Sequence, residues 1–398
     1  MRSNPTPRRS RALLAGGAGA LALSMALAGC ASAGDATVAA DDDGPIVIGM
    51  SAPIAAAIGA FGQPAVDGAQ LAVDEINAAG GIDGRDLELV VEDNACNATD
   101  GQTAVESLIE QDVVAIIGGL CSDATLPALT VVQRSEIPLL VDLASNPSIT
   151  AEAGVGGNEW VFRWAPSDDI TAQTAVEYLD SLGGYDEIAV IADDGAFGQG
   201  GAEAIEAKAD ELGITVLSTD LVNLETPDFS SVVARVSQSE PDAVVVWLNA
   251  SATIGSFYEA YAASDLKSVP LAGQLDMTQS AIADNELFGY NSASYSASIE
   301  SEGNSAYLAA WEGAGFDVAN AYVGWDGYQS VQILASVLED APGIDPASIK
   351  DTLTGYTYGP MIVGGEEITF DDHNQAYPNL VIEQFTGSDV EPVTFEGN

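Results

Sequence analysis

The chain is 398 residues long and 47% hydrophobic, and it carries 60 acidic side chains against 11 basic ones, for a formal net charge of −49. That balance excludes a nucleic-acid binder, which needs clustered Lys and Arg, and disfavours charge-driven docking on an anionic membrane. The length suits two domains with separate cores, and with His373 as the single histidine no His-based metal site can be assembled.

Arg2, Arg8, Arg9 and Arg11 fall in a stretch that holds no acid, and the apolar run from Ala12 to Ala28 follows. Its length and small residues suit the hydrophobic region of a signal peptide better than a spanning helix. It ends in Leu27-Ala28-Gly29-Cys30, a bacterial lipobox, in which small residues admit the peptidase and the Cys30 thiol takes the lipid. The expectation is a lipoprotein signal peptide over 1–29 and an acidic, aperiodic tether over 30–44. The alternative is an ordinary signal peptide with an incidental cysteine. No later stretch offers the ~20 apolar residues of a spanning helix. In an oxidising compartment Cys96 and Cys121 form an even pair, open to a disulfide or to two buried thiols.

From Pro45 onward, short apolar runs alternate with amphipathic stretches. Strands are expected at Ile46–Met50, Leu87–Val91, Val113–Ile117 and Pro138–Val141, with helices at Pro64–Ala79, Thr103–Glu110 and Leu126–Arg134 between them. A second series follows Arg163. Helices at Thr171–Leu182, Ala202–Leu212 and Ser230–Gln238 alternate with strands at Glu187–Ala192, Thr215–Asp220 and Ala243–Leu248. Helices near Ser305–Ala314 and Asp326–Glu339 precede a strand-rich end. Apolar strands separated by helices predict an α/β protein, with mainly parallel sheets covered on both faces in two lobes.

No catalytic site emerges. His373 lies in the polar turn Asp371-Asp372-His373-Asn374, where a surface role is expected. The Gly-Gly dipeptides lack the Lys-Ser/Thr of a phosphate loop, and the acid pairs Asp168-Asp169 and Asp193-Asp194 lack calcium-loop spacing. No cofactor or metal is therefore expected. Binding chemistry is better supported. Val113–Ile117 runs through Gly118-Gly119-Leu120-Cys121 into Ser122 at a helix N-terminus, where free N–H groups attract a carboxylate without Lys or Arg. Ala144-Ser145-Asn146-Pro147 repeats the arrangement one strand on. In a parallel sheet both lie at carboxyl ends of strands, where open α/β folds bind ligands. The competing reading is that both serines are helix N-caps and nothing more.

The run from Ile46 through Thr125 resembles the start of a branched-chain-amino-acid-type periplasmic binding protein, the solute-binding subunit of ATP-driven importers. Phe61-Gly62, Asp74-Glu75-Ile76-Asn77 with Gly80-Gly81-Ile82 and Gly84, and the Cys96 and Cys121 pair carry the likeness. Phe162-Arg163, Asp194 with Phe197-Gly198 and Gly200, and Ile368-Thr369-Phe370-Asp371 extend it over roughly 45–398. The resemblance implies two α/β lobes joined by three hinge crossings, 45–165 plus 299–375 forming one lobe and 166–298 plus 376–398 the other. It implies a Cys96–Cys121 disulfide. It places Ser122, Ser145 and backbone groups at Leu143 and Ala144 on a ligand carboxylate and ammonium, with Phe61 and Phe197 along the side-chain pocket. Relatives often carry tyrosine at the two aromatic positions. Asn249 falls where leucine-type binders have tyrosine. The ammonium-capping acid falls in Gln274-Leu275-Asp276, with Asp276 the available carboxylate, one step beyond the aligned Leu275.

The expected function is extracytoplasmic. A monomer, lipid-anchored to the outer face of the cytoplasmic membrane at Cys30, captures an amino acid or similar small polar metabolite and delivers it to an ABC-type permease. The alternative is a sensing lipoprotein that presents its closed form to a membrane signalling partner. A hydrolase would need a nucleophile and base that the sequence does not supply.

Overall fold

The computed structural model describes residues 44–55, 59–224, 229–249, 253–275, 279–362 and 365–393. The expected signal peptide, Cys30 and Asp276 lie outside the described residues. In the first half, β1 (Ile46–Ala52), β2 (Leu87–Asp93), β3 (Ile116–Gly118), β4 (Leu139–Val141) and β5 (Val161–Arg163) alternate with α1 (Gly59–Ala79), α2 (Ala98–Glu110) and α3 (Ser122–Ser135). All five strands are parallel, in the order β2-β1-β3-β4-β5. β3 (Ile-Ile-Gly) and β4 (Leu-Leu-Val) are three residues each and fully buried, as strands without a polar side chain can be. Helix α1 begins before the expected Pro64, which lies inside it. As the sixth residue of the helix it lies just past the free first turn and forfeits one backbone hydrogen bond of the ladder.

The second half opens with α4 (Asp168–Leu182), β6 (Glu187–Asp193), α5 (Ala196–Leu212), β7 (Thr215–Val222), α6 (Phe229–Ser237) and β8 (Ala243–Trp247). It continues through α7 (Ile254–Ala262), β9 (Leu271–Gly273), α8 (Gln279–Asp284) and β10 (Phe288–Ala293). The chain then returns to the first half for α9 (Glu302–Gly313), α10 (Ala321–Asp340) and α11 (Pro346–Leu353). Short strands β11 (Thr357–Tyr358) and β12 (Ile368–Thr369) pair with each other, and β13 (Val381–Thr386) and β14 (Asp389–Val393) close the second sheet. That sheet runs β14-β13-β10-β9-β8-β6-β7. Its interior is parallel, whereas β13 and β14 are antiparallel edge strands, joined by a two-residue turn with Gly387 at φ 60°.

Each sheet is covered on both faces. One core packs the first sheet against α1 and α10, and another packs it against α2 and α3. The second sheet has matching cores under α6 and α7 and under α4 and α5. Helices α1 and α10 approach almost backbone to backbone, since a Cβ on Gly68 would strike the carbonyl of Gly324 and one on Gly327 that of Ala65. Trp164 meets Trp325 edge to face at 5.0 Å and donates from Nε1 to Ser330 Oγ at 2.8 Å. The chain passes between the sheets three times: from β5 into α4, from β10 into α9, and from β12 into β13. The first and last passages lie side by side, with Arg163 N–H on the carbonyl of Asn374 and Ala376 N–H on that of Arg163. Among the described residues no helix is long and apolar enough to cross a membrane.

Candidate ligand-binding site

The carboxyl ends of β3 and β4 meet those of β6 and β8, and the residues that connect them sit at strand ends, in the loops just past them and in the first turns of α3, α4 and α5. Gly118 and Gly119, at φ 103° and 106°, swing the chain from β3 into α3. A Cβ on Gly119 would stand 2.7 Å from Thr125 Oγ1, so the turn demands glycine. The Cys96–Cys121 disulfide ties the β2 loop to the residue that precedes α3. Cys121, not Ser122, is the N-cap of α3, and no side chain caps this helix. The Ser122 hydroxyl instead accepts from the N–H of Asn146, 3.2 Å away on the β4 loop. Asn146, not Ser145, caps the short 3-10 helix at Pro147–Ile149. Neither serine is thus an N-cap. Ser145 is 3% exposed and its hydroxyl has no hydrogen-bond partner.

The β4 loop is held from behind. Buried Arg163 donates from Nη1 to the carbonyls of Ala144 (3.2 Å) and Asn146 (2.9 Å), from Nε to Gln375 Oε1 (2.6 Å) and from Nη2 to Thr150 Oγ1 (2.9 Å). Burial lowers its guanidinium to about 10, against the opposing charges of Asp168 and Asp169. Asp142 Oδ1 takes the N–H groups of Leu143 (2.7 Å) and Leu120 (3.3 Å), while Oδ2 is buried without a partner. Burial pushes this carboxyl up to about 6. The Leu143 N–H is therefore engaged by Asp142, and the Ala144 carbonyl by Arg163.

Facing this loop are residues of the second half. Asp193, at the end of β6, accepts from the N–H of Gly195 on Oδ1 and from that of Asn249 on Oδ2, each at 2.9 Å. Burial, with the Asp123 charge adding to it, raises Asp193 to about 6. Phe197 stacks on Trp247 with ring centres 5.8 Å apart, and Trp247 Nε1 donates to Asp168 Oδ1 at 3.1 Å. Asp168 lies wholly buried in the first turn of α4, and its N–H reaches the carbonyl of Ser145 at 2.8 Å. Burial raises its carboxyl to about 7; the Ser145 hydroxyl and the Arg163 charge oppose this, although Ser145 and Asp168 make no hydrogen bond of normal geometry.

The structure thus brings Ser122, Leu143, Ala144, Ser145, Phe197 and Asn249 to one region, where Asn249 Nδ2 approaches Cys96 Sγ at 3.8 Å. Phe61 is 7% exposed and belongs to the first sheet's core, in α1. The charged contributors Asp123, Asp142, Arg163, Asp168 and Asp193 were not assigned to the binding site from sequence. Three of them carried a legible signal all the same. Asp142 follows Leu139-Leu140-Val141, Asp193 follows Ile188 through Ala192, and Arg163 sits in Val161-Phe162-Arg163-Trp164. A charge that ends a wholly apolar strand is costly to bury unless it organises something. His373 is exposed and borders a cavity of about 220 Å³ beside Arg163, Gln375 and Tyr377 on the hinge side.

A family model described as periplasmic binding protein matches residues 45–389. The chain belongs to that family, in its branched-chain-amino-acid type. It is 28% identical over 335 residues to a Leu/Ile/Val/Thr-binding protein of Salmonella typhimurium, covering 83% of this chain and 88% of that one. An amino acid binding protein of Pseudomonas aeruginosa is 32% identical over 200 residues, which span 50% of this chain and 52% of the relative. The matches to Leu/Ile/Val-binding proteins of Rhizobium johnstonii and Brucella melitensis likewise span only 53% and 59% of those relatives. Among solved structures, a leucine binding protein of Thermotoga maritima superposes with a TM-score of 0.75 at 18% identity, covering 88% of this chain and 98% of that one. A solute binding protein from R. palustris in complex with 4-hydroxybenzoate superposes with a TM-score of 0.78 at 18% identity, over 88% and 96%. These likenesses establish a type I periplasmic binding protein fold, and the family is one of extracytoplasmic solute binders rather than enzymes.

Proposed function

We propose that this periplasmic binding protein encloses an amino acid, or a similar small zwitterion, between its two halves and delivers it to an ABC-type permease. The carrying observation is the charge of the site. Asp142, Asp168 and Asp193 converge on the loops past β3, β4 and β6, and the cation beside them, Arg163, is committed to the carbonyls of Ala144 and Asn146. All three carboxyls are already raised by burial. An ammonium group brought beside them restores their ionised form, whereas an added anion pushes them further up. The ligand carboxylate would be met by the uncapped N–H groups at the start of α3 and by the free hydroxyl of Ser145. Ser122 and Asn249 would complete the polar lining and Phe197 the apolar wall, with Leu143 and Ala144, held by Asp142 and Arg163, and the core residue Phe61 supporting them from behind. Asp276, outside the described residues, would be a further carboxylate for the amine on the strength of the resemblance alone.

Relatives of this fold include proteins described as binding leucine and others in complex with benzoates. A thermal-shift screen against amino acids, amides, sugars and hydroxybenzoates separates these classes, because a ligand at 100 times its Kd stabilises the protein by about 2.7 kcal/mol. Amino acids are expected to raise the unfolding midpoint; a shift with benzoates and none with amino acids overturns the reading. The anchoring proposal is separate. Cys30→Ala is expected to release the chain from membranes with ligand binding intact, and persistent membrane association counts against the lipid anchor.

A further inference from the structure

Ala196, the first residue of α5, is bonded to the other half of the molecule through both its N–H and its C=O. The N–H donates to Asp123 Oδ1 at 3.0 Å and Oδ2 at 3.2 Å, and the C=O accepts from Asn146 Nδ2 at 2.6 Å. The surface around Ala196 is pared to glycine. A Cβ on Gly195 would stand 2.8 Å from Asp123 Oδ2, and one on Gly200 would stand 2.6 Å from Asn146 Nδ2. Three independent features therefore fit one another: an acid from α3, an amide from the β4 loop, and a glycine-flanked helix start that receives both. The Asp123 carboxylate also sits at the positive end of the α5 dipole, where a negative charge is favoured.

We propose that Asp123 and Asn146 form a latch that holds the two halves shut, and so set the affinity for every ligand without touching any of them. The inference rests on the reading that the ligand is enclosed between the halves. A contact made only in the closed form multiplies the affinity of all enclosed ligands by one factor, because each binds the same binding-competent population. Asp123 and Asn146 are in this sense positioning residues, acting through Ala196.

Spin labels on Glu110→Cys in α2 and Glu203→Cys in α5, introduced into the chain carrying Cys30→Ser, report the separation of the halves in the free protein. Asp123→Ala is expected to lower the ratio of short to long separations about tenfold, the effect of losing one charge-assisted hydrogen bond. Asn146→Ala is expected to move the ratio in the same direction. Asp123→Asn keeps an acceptor oxygen and is expected to recover part of the loss, which a merely structural role would not do. Gly195→Ala is expected to weaken closure by crowding the carboxylate. A wild-type distribution with no short component, or one that neither Asp123→Ala nor Asn146→Ala alters, overturns the latch. Titration of the same variants with L-leucine and with 4-hydroxybenzoate is expected to weaken by a common factor whichever of them binds, and unequal factors overturn it as well. The label distances are read without ligand, so a failure of the amino-acid reading leaves them intact as a test.

Discussion

Trp247 Nε1 donates to Asp168 Oδ1 at 3.1 Å, and that carboxyl's other oxygen is buried without a hydrogen bond of normal geometry. A carboxyl held this way is easier to fold around when it is protonated. Its value is raised to about 7, so the folded chain keeps a proton that the unfolded chain loses near pH 4. The stability this supplies is complete below the unfolded value and is lost as pH rises through about 7. Asp142 and Asp193, both raised to about 6, act in the same direction. The unfolding midpoint is therefore expected to be higher at pH 5 than at pH 8. Relief of charge repulsion contributes to the same trend, so the comparison that isolates the buried group is Asp168→Asn, expected to flatten the profile between pH 5 and 8. Parallel profiles for the variant and the parent would sink the assignment.

Arg163 fixes the β4 loop through four acceptors. Arg163→Ala leaves buried carbonyls without donors, which is expected to cost about 3 kcal/mol or more of stability. Arg163→Lys keeps the charge and loses the planar fork. It is expected to fold yet bind ligand at least tenfold more weakly, since Ala144 through Asn146 lose their anchor. Calorimetric affinity and denaturant unfolding, measured on the same samples, separate the two effects.

Opening the Cys96–Cys121 disulfide releases a loop of 25 residues. The chain-entropy model assigns about 3 kcal/mol to such a closure. Cys96→Ser with Cys121→Ser is expected to lower stability by about that amount. It also removes the sulfur that Asn249 approaches across the site. Alkylation of the oxidised parent without reductant is expected to modify neither cysteine.

The two serines differ in their bonds, so their substitutions are expected to differ. Ser145→Ala removes a hydroxyl that has no partner within the protein, and the free protein is expected to be no less stable. Its ligand affinity is expected to fall about tenfold if the hydroxyl donates to a ligand oxygen. Ser122→Ala strips the acceptor from the Asn146 N–H and is expected to destabilise the free protein by about 1 kcal/mol as well. Isothermal titration with the ligand identified by the thermal screen reads both.

Much of the fold was legible because its strands are apolar throughout and its helices alternate with them: Ile46–Ala52, Glu187–Asp193 and Ala243–Trp247 appear within two residues of their expected bounds. Helix starts were read too late where glycine or proline fills the first turns. Helix α5 begins at Ala196, not Ala202, because Gly198, Gly200 and Gly201 weaken the local signal while packing against the backbone of Asp193 and the side chains of Asn146 and Trp247. The short strands β5 and β9 and helices α7 and α11 left too brief a pattern to be seen. At the site, strand-end loops were found from glycine and serine. The buried carboxyls Asp142 and Asp193 and the guanidinium of Arg163 were not: a charge in or at the end of an apolar strand marks each, but tertiary packing decides that it is buried and what it holds.

The three passages of the chain between its halves bear on the order in which the molecule can be assembled. Strands β1 to β5 are complete by Arg163, yet the helix that covers one face of that sheet, α10, does not end until Asp340. Trp164 waits for Trp325, and Ala65 waits for Gly327, the latter across more than half of the folded chain. A ribosome or export channel that delivers this polypeptide from its N-terminus releases the second sheet's parallel core before the first half can finish. The half that begins first is thus completed last, and no single cut in the polypeptide yields either half intact.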